Sequence, residues 1–149
     1  MTLEDLYKED RLKKHKTSAR EIGDLLRIVD RDLKDAELRD LSVDRRFATA
    51  YNAALGLATI ILYCKGFRPT GVGHHYTVFQ AMKETMGDDY VDLANYFDAC
   101  RVKRNAIDYD RSGRVSEGEA DRLLIETRQF KEIVRNWLQT YYPQFLGQA

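Results

Sequence analysis

Apolar side chains recur every three or four residues along most of this chain, the spacing that keeps one face of an α-helix turned inward. Leu3, Leu6, Tyr7 and Leu12 predict a short charged helix over about residues 3–14, with fraying expected across 1–17. Ser18 and Glu21 carry the capping-box signature and open a long amphipathic helix, with Ile22, Leu25, Leu26, Val29 and Leu33 in one stripe. Asp44 is the expected cap of a third and most apolar helix, through Phe47, Ala50, Tyr51, Ala54, Leu57, Ala58, Ile61 and Leu62, which stops at Gly66 with Pro69 beyond. A shorter helix from His74 to about Met86 and a long one from Asp89 to about Ala106 follow. The last is opened by the capping box of Ser116 and Glu119 and stopped by Pro143. Strand-like alternation is nowhere sustained, so the pattern predicts a single all-α domain over 1–149, an antiparallel up-and-down bundle of four to five helices.

Composition changes this picture little. Lys+Arg and Asp+Glu both number 24 in 149 residues, so the overall field steers no partner and any nucleic-acid contact has to come from a local basic patch. Cys64 and Cys100 lack metal-ligand spacing and sit in apolar helical patterns, as reduced core thiols do. The longest apolar run, Ala53 to Cys64, is shorter than a membrane span, and acids interrupt the N-terminal stretch where a signal peptide would be apolar. A cytoplasmic protein with no membrane attachment and no cofactor is expected.

One charge breaks the helical pattern. Leu93, Phe97, Cys100, Arg104 and Ile107 share a face, so a guanidinium points inward with the core residues. Arg keeps its charge when buried, so Arg104 requires a carboxylate, a carbonyl, an aromatic face or a bound phosphate. Asp108, one turn on, is the local partner; an anionic ligand is the alternative.

Two further patterns carry chemistry. Asp108, Asp110, Ser112, Ser116 and Glu119 stand at the oxygen-donor positions of an EF-hand calcium loop, with Gly113 at its turn. Arg111 and Arg114 dilute that site, no partner loop accompanies it, and the same residues serve as a turn leading into a capped helix. His74 and His75, after the glycines at 71 and 73, point about 100° apart on a helix and do not chelate one metal by themselves. His15, in a Lys-rich run, is expected to be solvated.

Arg104 and Asn105 with Tyr109, near the end of a long helix followed by a turn and a capped closing helix, resemble the HEPN domain (higher eukaryotes and prokaryotes nucleotide-binding). The Ala-rich stretch from Arg45 to Ala54 and the glycine turn before His74 and His75 are similar to the same layout, and the resemblance runs from about Ser18 to Leu138. It implies an up-and-down helical bundle. Active members are metal-independent endoribonucleases that work as dimers, with two motifs in one cleft, often beside a nucleotidyltransferase-type antitoxin partner. On that pattern Arg104 binds the scissile phosphate, Asn105 positions the arginine or the RNA, and Tyr109 stands where the family has His. Arg101, His74, His75 and Asp108 are auxiliary candidates, His75 as a substitute base. A phenol is ionised to about one part in a thousand at neutral pH whereas imidazole is mostly free base, so Tyr109 implies weak cleavage or none. The expected function is an RNA or nucleotide binder of toxin or defence type. A non-catalytic interaction module comes second and calcium binding third.

Overall fold

The computed structural model describes residues 1–71, 74–109 and 115–147, with 108 and 109 described by backbone alone. Among the described residues there are six α-helices and one two-stranded ladder, in the order α1 (Leu3–Lys8), β1 (Leu12–Lys14), α2 (Ala19–Ala36), α3 (Val43–Cys64), β2 (Phe67–Pro69), α4 (His74–Met86), α5 (Val91–Tyr109) and α6 (Glu117–Tyr141). The expected all-α bundle is what forms.

The hub is α3, which packs against α2, α4, α5 and α6. By length and composition it is apolar enough to cross a membrane, but in this fold other helices cover it. Small residues make that crowding workable: Ala50, Ala53, Ala54 and Ala58 are buried, and a Cβ on Gly56 would come within 3.1 Å of Val29 on α2. Between the helix layers runs a line of aromatic rings. Tyr51 on α3 meets Phe79 on α4, Phe79 meets Phe97 on α5, and Phe97 meets Phe130 on α6, with successive ring centroids 6.1, 5.9 and 5.3 Å apart.

Several expectations need correction. The first helix ends at Lys8 because Asp10 takes a left-handed φ of 59°, which breaks the helix and lets Leu12 to Lys14 extend. That stretch is a strand, antiparallel to β2, with Leu12 opposite Pro69 and Lys14 opposite Phe67. Leu6 and Leu12 of this first segment are buried in the core. The cap of α3 is Ser42, whose hydroxyl accepts from the Arg45 N–H, and Asp44 lies inside the first turn. At Ser18 the capping box is half made: Ser18 accepts from the Glu21 N–H, but the Glu21 carboxylate turns to Thr17 and His15, each at 2.7 Å. His15 is accordingly not solvated. Its ring packs on Tyr63 with centroids 4.2 Å apart. The box at Ser116 and Glu119 is complete in both directions. Cys64 and Cys100 are buried and unbridged, and burial pushes their thiols up to about 12 and about 11.

Candidate functional site

The first turn of α4 and the last turns of α5 lie side by side, and the residues singled out in the sequence meet there. His74, His75 and Tyr76 from α4 face Arg101 and Asn105 from α5 across a cavity of about 170 Å³. Arg101 and Asn105 are four apart on one helix face and project to the same side. Arg104 sits one step round the helix, half-buried, with its guanidinium 5.7 Å from the centre of the Tyr51 ring. The wall of the cavity is therefore built by Arg101 and Asn105, while Arg104 stands behind Tyr51.

Tyr51 links the two arginine positions to the histidines. It is 0% exposed, and its Oη lies 3.1 Å from Nδ1 of His75. Burial pushes the Tyr51 phenol well above its ordinary value, against the pull of Arg104 and Arg101, so it keeps its proton. Burial also brings His75 down to about 4, helped by the neighbouring His74, Arg104 and Arg101, so its ring is neutral at physiological pH. The His74 ring meets His75 edge to face, centroids 4.4 Å apart, and its Nδ1 lies 3.1 Å from the carbonyl oxygen of Gly71. Arg101 donates from Nε to Asp98 at 2.7 Å and places its guanidinium 5.6 Å from the Tyr76 ring. The Arg11 guanidinium is also 5.6 Å from the Tyr76 ring and donates to Thr77 and Gln80 of α4. The result is a small recess lined by one arginine, Arg101, and by the neutral imidazole of His75.

Not every candidate can be located. The side chains of Asp108 and Tyr109, and residues Asp110 and Ser112, lie outside the described residues, so the pairing of Arg104 with Asp108 and most of the calcium loop do too. The two loop donors that are described are committed elsewhere: Ser116 and Glu119 bond each other's backbone, and Glu119 also pairs with Lys103. A calcium ion at Glu119 would have to displace that lysine. Among the described residues no group of three or more His, Cys, Asp or Glu side chains could hold a metal ion.

Sequence reasoning missed Tyr51 as anything but core, and missed Arg46 altogether. A tyrosine with its ring wholly buried still has a hydroxyl that seeks a partner, which was the available signal. Arg46 is only 2% exposed and donates to the Ala36 carbonyl at 2.9 Å, to Glu117 at 2.9 Å and to Asp121 at 2.7 Å. A larger groove of about 650 Å³, lined by Lys65, Tyr90, Trp137 and Tyr142 among others, lies at the far end of α4, beside Thr85 and Met86. None of the candidate residues reaches it.

The family model described as SAV_6107-like HEPN matches residues 39–135, which takes in α3, α4, α5 and most of α6. No curated protein and no solved structure matches the chain.

Proposed function

The chain belongs to the SAV_6107-like HEPN family, and from that premise we propose an RNA-directed role of toxin or defence type, seated where α4 meets α5. The family is associated with nucleotide- and RNA-related functions in general. The observation that carries the reading is the convergence of Arg101, Asn105, His74 and His75 on one recess, with Arg104 behind Tyr51. At about 170 Å³ it is smaller than a site for a whole drug-sized ligand, and it suits the sugar-phosphate part of a longer chain. Arg101 holds a phosphate oxygen there and keeps its charge at any relevant pH.

Cleavage, where it occurs, is metal-independent and slow. The ribose 2′-oxygen bonds to phosphorus while the bond to the 5′-oxygen breaks, giving a cyclic phosphate and a 5′-hydroxyl; the proton leaving the 2′-oxygen needs a base, and Tyr109 is a poor one. Dimerisation belongs to the same proposal. Ala99 and Val102 are exposed on α5 next to Arg101 and Asn105, so two copies meeting through α5 bring two recesses together.

Tyr109→His is the test. With labelled RNA in chelator, the native protein is expected to bind weakly and cleave slowly or not at all, and the variant to cleave at least ~10²-fold faster, with Arg104→Ala in the same background abolishing the gain. Robust native cleavage would show that another base already serves. No binding by either form would remove the RNA reading and leave the second one, an interaction module that uses the exposed α5 surface.

A further inference from the structure

We propose that His74 and His75 are held in opposite tautomers, His74 presenting a bare Nε2 and His75 an Nε2–H, and that this acceptor and donor together recognise a ribose 2′-hydroxyl beside its phosphate. The proposal deepens the RNA reading and rests on it for the ligand, though not for the tautomers.

The tautomers follow from what each Nδ1 touches. A carbonyl oxygen only accepts, so His74 Nδ1, at 3.1 Å from Gly71 O, carries the proton, and a neutral ring then has its lone pair on Nε2. At His75 the order is reversed. The Tyr51 hydroxyl is buried, and among the described residues its one hydrogen-bond partner is His75 Nδ1, at 3.1 Å. A buried hydroxyl proton without an acceptor is costly, so Tyr51 donates, Nδ1 accepts, and the His75 proton sits on Nε2. At His75 ionisation does not disturb the arrangement, because Tyr51 stays a phenol and burial, with the neighbouring arginines adding to it, holds His75 neutral.

With both Nδ1 atoms occupied, the Nε2 edges are what the two rings have left for a ligand, and both rings line the same recess as Arg101 and Asn105. A phosphodiester alone uses the arginine and the His75 donor but has no O–H to offer a bare Nε2. A hydroxyl that donates next to an anionic oxygen satisfies both. In a nucleic-acid backbone that pair is the 2′-hydroxyl with the adjacent phosphate, the group by which RNA differs from DNA. Tyr51 is thus a positioning residue for His75, and the general acceptor of the site is His74 rather than His75.

Nitrogen NMR of the protein without ligand, with 15N-labelled histidine at neutral pH, reads the tautomers directly. Expected are Nδ1–H for His74 and Nε2–H for His75, with Tyr51→Phe turning His75 into a mixture and leaving His74 unchanged; the same tautomer at both positions overturns the proposal. Fluorescence anisotropy with a labelled oligouridylate and its deoxy counterpart reads the recognition. The ribose form should bind about tenfold tighter. His74→Ala should bring that ratio to about one, whereas His75→Gln, which keeps an N–H donor, should preserve it. Equal affinity for the two oligonucleotides, or a preference that survives His74→Ala, overturns the proposal. If neither oligonucleotide binds, the RNA reading falls, and the nitrogen shifts still decide the tautomer pair.

Discussion

Two arginines, Arg46 buried and Arg101 half-buried, show how differently a cation packed into the fold can be used. Arg46, at the start of α3, gives its guanidinium to a backbone carbonyl at the end of α2 and to two carboxylates on the first turn and a half of α6, with Arg39 sharing both acids. Three helices are tied at one point. Arg101, on α5, engages Asp98 through Nε and rests near the face of Tyr76, beside a recess. The first is closed by the fold's own acceptors, and the second lines a recess. Burial of a charge is therefore a poor guide to function; what completes its coordination is the better one.

The comparison can be broken most forcefully at Arg46. Arg46→Met should destabilise the protein by about 3 kcal/mol in urea unfolding, the low end for opening a buried pair because Glu117 and Asp121 remain partly solvated. The oligonucleotide affinity of the folded protein should be unchanged. Arg101→Gln should do the opposite, leaving the unfolding free energy in urea within about 1 kcal/mol of native while RNA affinity falls about tenfold. A large stability loss at Arg101, or an affinity loss at Arg46, would erase the distinction.

The pattern of burial that flagged Arg104 was equally available for Arg46. Arg46, Ala50, Ala53, Leu57 and Ile60 lie on one face of α3 and are all buried, so an inward cation was legible there too. What the pattern could not supply is the identity of the acceptors. Ala36, Glu117 and Asp121 are 10 to 75 residues away in sequence, and the contact of Tyr51 with His75 spans 24. Helix limits were readable where a side chain closes the end, as at Ser116. They were misread where two candidates stood close together, Ser42 and Asp44. The ladder escaped notice because three residues are too few to establish a period of two.

Acid sharpens the comparison further, since the two regions respond in different pH ranges. His75 falls from 6.5 to about 4 on folding, so the unfolded chain binds the extra proton between those values; its contribution to stability is complete above about 6.5 and is lost as pH drops toward about 4. Asp121 is held below 3.8, first by its hydrogen bond from Arg46, so its contribution persists above 3.8 and is lost only as pH falls below that. Melts of native protein minus His75→Gln should differ in the upper range, and native minus Arg46→Met in the lower. The smallest effect expected is that of calcium. Titration calorimetry should detect no binding tighter than ~10⁻³ M, because Glu119 is engaged by Lys103 and by the Ser116 N–H; a micromolar constant would place a third charge-completing arrangement beside the other two.

The short ladder has a consequence for how the site can vary. Thr70, at the approach to α4, is fastened to Arg11 and Asp10 by its N–H and hydroxyl, and Arg11 reaches on to Thr77 and Gln80. The segment that splints the histidine-bearing turn thus lies wholly before residue 39, where the family match begins. A substitution at Arg11 can therefore shift the start of α4, and His74 and His75 with it, while every recess residue stays unchanged, so the geometry of the recess is set in part by a segment outside the matched region.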